Sequence, residues 1–141
     1  MQVASGWEHF EHGADIGVRG YGETMAEAFS EGARALTAVI TDLESVAAVE
    51  SVHVSCSAPD DELLFADWLN AIVYEMAVRK MLFSRFEVNI KDHALIATLW
   101  GEAVNLQKHR PVVEVKGATY TALKVVQDEQ GRWVAQCVVD V

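Results

Sequence analysis

The chain has 141 residues, 51% hydrophobic and 23% charged, with 21 acidic side chains against 11 basic ones and a formal net charge of -10. That length and balance fit one domain, 1–141, with a sizeable core, and exclude a disordered chain. The acidity argues against holding nucleic acid by phosphate attraction alone, so service to RNA or DNA would run through a partner. Cys56 and Cys137 stand far apart with no CxxC, which fits reduced, buried thiols in a reducing compartment. The opening MQVASGWEHF lacks the apolar core of a signal peptide, and no apolar run approaches membrane-spanning length. The expected compartment is the cytoplasm, with no membrane partner.

In chain order, residues 1–6 read as a frayed start. Trp7–His12 and Ile16–Tyr21 read as two strands around a Gly13-Ala14-Asp15 connection. Thr24-Met25-Ala26-Glu27 is a capping box that opens a first helix near 24–40. Its apolar face is Met25, Ala28, Phe29, Ala33, Leu36, Val39 and Ile40. Gly32 costs that helix about 1 kcal/mol relative to alanine, which points to close packing there. Ser51–Ser57 alternates as a half-buried strand, with His53 facing solvent. Asp60 caps a second helix near 60–80, the longest element and the expected main cover of the sheet. Phe86, Val88 and Ile90 start a hairpin that turns at Lys91-Asp92-His93 and returns over Ala94–Trp100.

Gly101–Leu106 continues that return loosely. Gln107-Lys108-His109-Arg110-Pro111 reads as a small basic loop. Val112–Val126 is strand-rich, with a bulge or break at Gly117. Asp128-Glu129-Gln130-Gly131 is a turn, and Trp133–Val139 is the last strand. There is no repeat and no linker. Two helices and about seven strands, with hairpins dominating the second half, predict an α+β fold. Both helices would cover one face of a mostly antiparallel sheet, as a two-layer sandwich.

The densest stretch chemically is Trp7 to Gly22, WEHFEHGADIGVRGYG, where carboxylates and imidazoles sit among four glycines. His9 and His12 fall on opposite faces of a strand, and EHFEH does not match the helical zinc spacing. Asp15, beside Gly17, offers a hard oxygen of the kind calcium and magnesium prefer. Taken alone, an aspartate in a glycine-rich turn is more often an Asx-turn residue. Asp140 lies next to the final residue Val141, and on spacing alone that tail reads as a solvated terminus. Lys116 reads as a surface lysine and Cys137 as core. No nucleophile elbow, phosphate loop or GxGxxG occurs. The residues by themselves support an acidic α+β domain with an oxygen-ligand metal site.

The opening motif, followed by the helix start TMAEAF, resembles the archease family. Leu106-Gln107-Lys108-His109, the run Glu114 to Tyr120, and the ending Val138-Val139-Asp140-Val141 resemble it too, so the likeness spans residues 7 to 141. Gly13 stands where the family pattern has threonine, and Gly117 where it has alanine. The resemblance implies a protein that assists the RtcB-type RNA-splicing ligase of tRNA splicing, promoting its GTP-dependent guanylylation and multiple turnover. It implies an activator, not an enzyme, with little RNA binding of its own. It also implies a divalent cation, calcium before magnesium or manganese, held by Asp15, Asp140 and Val141. Lys116 is a further functional candidate on this view, and His12 a group behind the ligands. Two other readings stay open: a chaperone-like modulator of tRNA-modifying enzymes such as a tRNA methyltransferase, and a metal-dependent enzyme in its own right.

Overall fold

The computed structural model describes residues 4–141, so the first part of the expected frayed start lies outside the described residues. The chain runs β1 (Gly6–His12), β2 (Asp15–Gly22), α1 (Met25–Ile40), a 3-10 turn at Leu43–Ser45, β3 (Glu50–Ser57) and α2 (Asp61–Arg79). It continues through β4 (Met81–Lys91), β5 (Ala94–Ala103), a short α3 (Leu106–His109), β6 (Gly117–Ala118), β7 (Lys124–Gln127) and β8 (Trp133–Asp140). Every strand pairing is antiparallel, as the α+β reading requires. The strands divide into two sheets, however. One has five strands in the order β1-β2-β8-β6, with β7 also on β8; the other is β3-β5-β4.

The helix starts follow from their caps. Thr24 Oγ1 accepts from the Glu27 N–H at 3.1 Å, and Asp60 Oδ1 from the Leu63 N–H at 2.8 Å. The first is half of the expected capping box. α2 ends at Lys80, which is left-handed with φ 54° and whose N–H reaches the Met76 carbonyl.

α1, more than α2, organises the core. Ala28, Phe29, Gly32, Ala33, Ala35, Leu36, Thr37, Val39 and Ile40 are all buried, too broad an arc for a helix with one covered face. The reason is that α1 lies against both sheets. On one side the β2 main chain comes so close that a Cβ on Gly20 would sit 2.1 Å from the Ala28 carbonyl oxygen. On the other side Ser30 Oγ donates to the Phe86 carbonyl at 2.9 Å and Thr37 Oγ1 to the Phe83 carbonyl at 2.7 Å, both on β4. α2 packs beside it, with Trp68 Nε1 donating to the Phe29 carbonyl at 2.9 Å. Gly32 does mark a close approach: the Phe65 ring takes the place a Cβ would need.

Two local readings are corrected. The basic loop at 107–111 begins as α3, because Asn105 Oδ1 accepts from the N–H groups of Gln107 and Lys108 and starts a helical turn. The strand-rich run 112–126 yields only β6 and β7, since the β8 edge is taken up by those two short pieces. Residues 112–116 pass beyond the end of β8 and have no strand to pair with. Among the described residues no helix is long and apolar enough to cross a membrane.

Candidate functional site

The site is built by register. β1 and β2 form a hairpin whose last pair is His12↔Asp15, closed by Gly13-Ala14. Gly13 has φ +60°, the left-handed value such a tight turn needs and glycine adopts at no steric cost. β2 pairs with β8 through Ile16↔Val139. One step further along stand Asp15 and Asp140, the two strands' end residues. β8 in turn pairs Asp140 with Gly117 of β6. The Lys116 N–H donates to the Asp140 carbonyl at 2.7 Å.

The sheet thus lays His12, Asp15, Asp140 and Gly117 in one row across four strands, with Lys116 and Val141 beside it. Residues paired across a ladder present their side chains to the same face. The first and last strands of the chain become neighbours because β2 and β8 are adjacent in the sheet. His9 points elsewhere: its Nε2 lies 2.8 Å from the Ala35 carbonyl of α1.

The row differs electrically from the rest of the surface. Eight ion pairs form elsewhere. Among the described residues none involves Asp15, Asp140, His12 or Lys116, and neither Asp side chain accepts a hydrogen bond. Asp15 is half-buried and Asp140 exposed. Two carboxylates thus stand at adjacent strand ends with no basic side chain paired to either. The donors are hard oxygens, which suits calcium or magnesium better than zinc.

The set is also incomplete. Among the described residues no group of three or more His, Cys, Asp or Glu side chains is arranged to hold a metal. Asp15, Asp140 and a main-chain oxygen of Val141 would therefore need further oxygens from water or from a partner. The set would supply two carboxylates and one main-chain oxygen, the other positions of a calcium or magnesium ion being left to water or a partner.

A second polar cluster lies where sequence reading saw only a basic loop. His109 is buried, 3% exposed. The Asn105 N–H donates to its Nδ1 at 2.9 Å, so that nitrogen carries no proton, and Nε2–H donates to Glu102 Oε2 at 2.8 Å. The same carboxylate oxygen accepts from Lys108 Nζ at 2.7 Å and from the Ala47 N–H at 2.9 Å. The Lys108 ammonium foremost, then the Ala47 and His109 donors, lower the Glu102 carboxyl to about 2. Thr41 Oγ1 donates to the His109 carbonyl at 2.5 Å. His109 is a latch that ties α3 to β5 and to the end of α1. A histidine at the end of one helical turn gave no sign of burial, because its partner Glu102 lies in a strand.

The thiols are free. Cys137 is buried and Cys56 half-buried. Burial pushes Cys137 up to about 12. Burial, with a contribution from the Asp67 carboxylate, pushes Cys56 up to about 11. Neither is a nucleophile at neutral pH.

Comparison with known proteins agrees with the motifs. The model of the Archease protein family (MTH1598/TM1083) matches residues 7–141. Protein archease of Pyrococcus abyssi is 39% identical over 139 residues, 96% of this chain and 98% of the relative. Its counterpart in Thermococcus kodakarensis is 38% identical over 138 residues, covering 95% and 97%. The solution structure of Methanobacterium thermoautotrophicum protein 1598 superposes with a TM-score of 0.83 at 33% identity, covering 96% of this chain and 99% of that one. A Thermotoga maritima crystal structure, described as an archease and "possible chaperone", shares the fold with a TM-score of 0.61 at 21% identity over 95% and 96%.

Proposed function

The chain belongs to the archease family, and from that premise we propose that it activates an RtcB-type RNA-splicing ligase through the carboxylate row at the end of its five-stranded sheet. In this reading it promotes GTP-dependent guanylylation of the ligase and supports multiple turnover, and it joins no RNA itself. The observation that carries the proposal is that Asp15 and Asp140 stand at adjacent strand ends, one step beyond the Ile16↔Val139 pair, with neither carboxylate compensated by a protein donor.

A divalent cation bound there would offset the two negative charges and leave coordination positions for outside oxygens. Calcium is the favoured ion, with magnesium or manganese as substitutes. Asp15 and Asp140 supply the carboxylates, and Val141 a main-chain oxygen. The Lys116 main chain fixes the Asp140 backbone from the far side. His12, across the hairpin from Asp15, would support the ligands through a hydrogen bond to a water on the ion. The net charge of -10 suits entry into a basic cleft that binds RNA and GTP, and disfavours RNA binding by this chain alone.

The test is ligase guanylylation with GTP, measured with the RtcB-type ligase of the same cell and with calcium present. Wild-type chain should raise both guanylylation and turnover. Asp15→Asn and Asp140→Asn should each lower that stimulation at least tenfold while the folded fraction stays unchanged. Stimulation that survives both substitutions would remove the row from the mechanism. Protection of unrelated unfolded clients from aggregation, with no effect on the ligase, would favour the chaperone reading attached to the Thermotoga neighbour.

A further inference from the structure

β3 is an edge strand: among the described residues it pairs with β5 and with no other strand. The register says which of its main-chain groups turn outward. The Ala58 N–H donates to the His93 carbonyl at 3.1 Å, one step beyond the Ser57↔Ala94 pair. Direction alternates along a strand, so Cys56, Val54 and Val52 also turn their N–H and C=O groups to β5. Ser51, His53, Ser55 and Ser57 turn theirs away. The same alternation carried across β5 turns the Phe86 carbonyl of β4 outward at the far edge, and there Ser30 Oγ reaches it at 2.9 Å. All four outward residues of β3 are exposed. Among the described residues none of their N–H or C=O groups has a hydrogen-bond partner. Main-chain groups left like this form a template for one more strand.

The other edges are guarded. β4 is bulged between Phe83 and Arg85, carries Arg85, Glu87 and Lys91, and gives its Phe83 and Phe86 carbonyls to hydroxyls of α1. β1 carries Glu8 and Glu11, and β7 is only four residues long. β3 has eight residues with no lysine and no proline, and its pairing with β5 runs without a register shift. Its one carboxylate is Glu50, at its first position. In a chain with 21 acidic side chains, that leaves an edge on which a like copy meets little repulsion. On the face covered by α2, Val52 is buried but Val54 and Cys56 are only half-buried, so the apolar row stops short of closure at this edge.

We propose that β3 is a self-association edge, at which a second copy of this chain pairs antiparallel about Val54 and the two three-stranded sheets become one. This register places Ser51 opposite Ser57 of the second copy and His53 opposite its Ser55, and the reverse. All four outward residues then exchange both of their main-chain bonds. A shift by one pair would set His53 against itself and leave Ser57 unpaired. On the covered face the register sets Val54 against Val54 and Val52 against Cys56, which closes the apolar row left open in one copy. Glu50 falls opposite Ala58, so no two carboxylates of the strand face each other. The nearest carboxylate off the strand is Asp67 of α2, whose charge is felt at Cys56.

The test is sedimentation equilibrium of the full chain from micromolar to millimolar concentration, with amide exchange followed by NMR over the same range. A dimer should form as concentration rises, and exchange at Ser51, His53, Ser55 and Ser57 should slow at least tenfold with it. Ser55→Pro removes a donor that faces solvent in the single copy, where an edge strand tolerates proline. It should weaken association at least tenfold and leave the melting temperature of the dilute chain within about 2 °C, roughly the 0.5 kcal/mol of a surface change. His53→Lys with Ser55→Lys sets like charges opposite each other twice and should do the same. Mixing that variant with His53→Glu, Ser55→Glu should restore association, because each lysine then meets a glutamate. With a net charge of -10 on each copy, association should tighten as salt rises. A chain that stays monomeric at millimolar concentration would overturn the proposal, even if some other strand binds there. So would a dimer unaffected by Ser55→Pro, or one that weakens in salt and is therefore held by ion pairs elsewhere. The assay contains no ligase and no added metal, so its failure would leave the carboxylate row untouched.

Discussion

Asp140→Asn is the sharpest probe of the row, because a structural residue and a cation ligand predict opposite signs. Asp15 and Asp140 stand one step beyond the Ile16↔Val139 pair, and paired strand residues have Cα atoms about 4.5–5.5 Å apart. Two unit charges about 5 Å apart repel by about 0.8 kcal/mol in bulk water and by about 3 kcal/mol at an effective dielectric of 20. Asp140 is exposed and Asp15 half-buried, so the value lies near the water limit, about 1 kcal/mol, less in high salt. Removing one charge should therefore raise stability in chelator by about 1 kcal/mol, or roughly 3 °C in melting temperature for a chain of this size. Calcium at a hundredfold excess over its dissociation constant should stabilise the wild type by about 2.7 kcal/mol. It should do little for the variant. The assay is thermal or urea unfolding of both chains, in chelator and in calcium. A variant that is less stable in chelator, or that gains as much from calcium as the wild type, refutes the cation reading of Asp140.

Gly20→Ala should be far more costly than its chemistry suggests. The new Cβ would lie 2.1 Å from the Ala28 carbonyl oxygen and 2.2 Å from the Gly32 nitrogen, both main-chain atoms, so urea unfolding should show a loss of about 3 kcal/mol or more. Gly6→Ala, with nothing within 4 Å, should stay within about 0.5 kcal/mol of wild type. Acid should undo the α3 latch. The folded Glu102 carboxyl is lowered to about 2, so its contribution is complete above the unfolded carboxylate range and is lost as pH falls from about 4.3 towards 2. Amide exchange at Asn105, whose N–H donates to the buried His109 ring, should accelerate in that window; unchanged exchange down to pH 2 would show that Glu102 does not hold the latch.

Much of this was legible in the chain, for identifiable reasons. The caps at Thr24 and Asp60 act over three residues, and a local device can be read locally. The hairpin turn at Asp92-His93 is likewise local, with both residues left-handed at φ 52° and 60°. Asp15 and Asp140 were named together through the family resemblance and not from spacing; the β2–β8 pairing is what sets their strand ends side by side. The division into two sheets was not legible. Period-2 alternation shows that a strand has one covered face, but not which strand lies next to it. The arc of α1 was read as one face because Thr37 and Gly32 do not count as apolar. Both are buried, one satisfied by a β4 carbonyl and the other pressed against Phe65. The run 112–116 has a strand's composition and lacks only a neighbour, a property of topology and not of its residues.

The Lys116 N–H donates to the Asp140 carbonyl, so a cation on Asp140 would order the chain through Lys116 as well. The core need not move for this to happen. α1 is fixed by main-chain contact with β2 and by hydroxyl bonds to β4, whereas the row lies at the strand ends, one step beyond the Ile16↔Val139 pair. Substitutions in the row should accordingly alter binding and activation with little loss of stability, and substitutions such as Gly20→Ala should do the reverse.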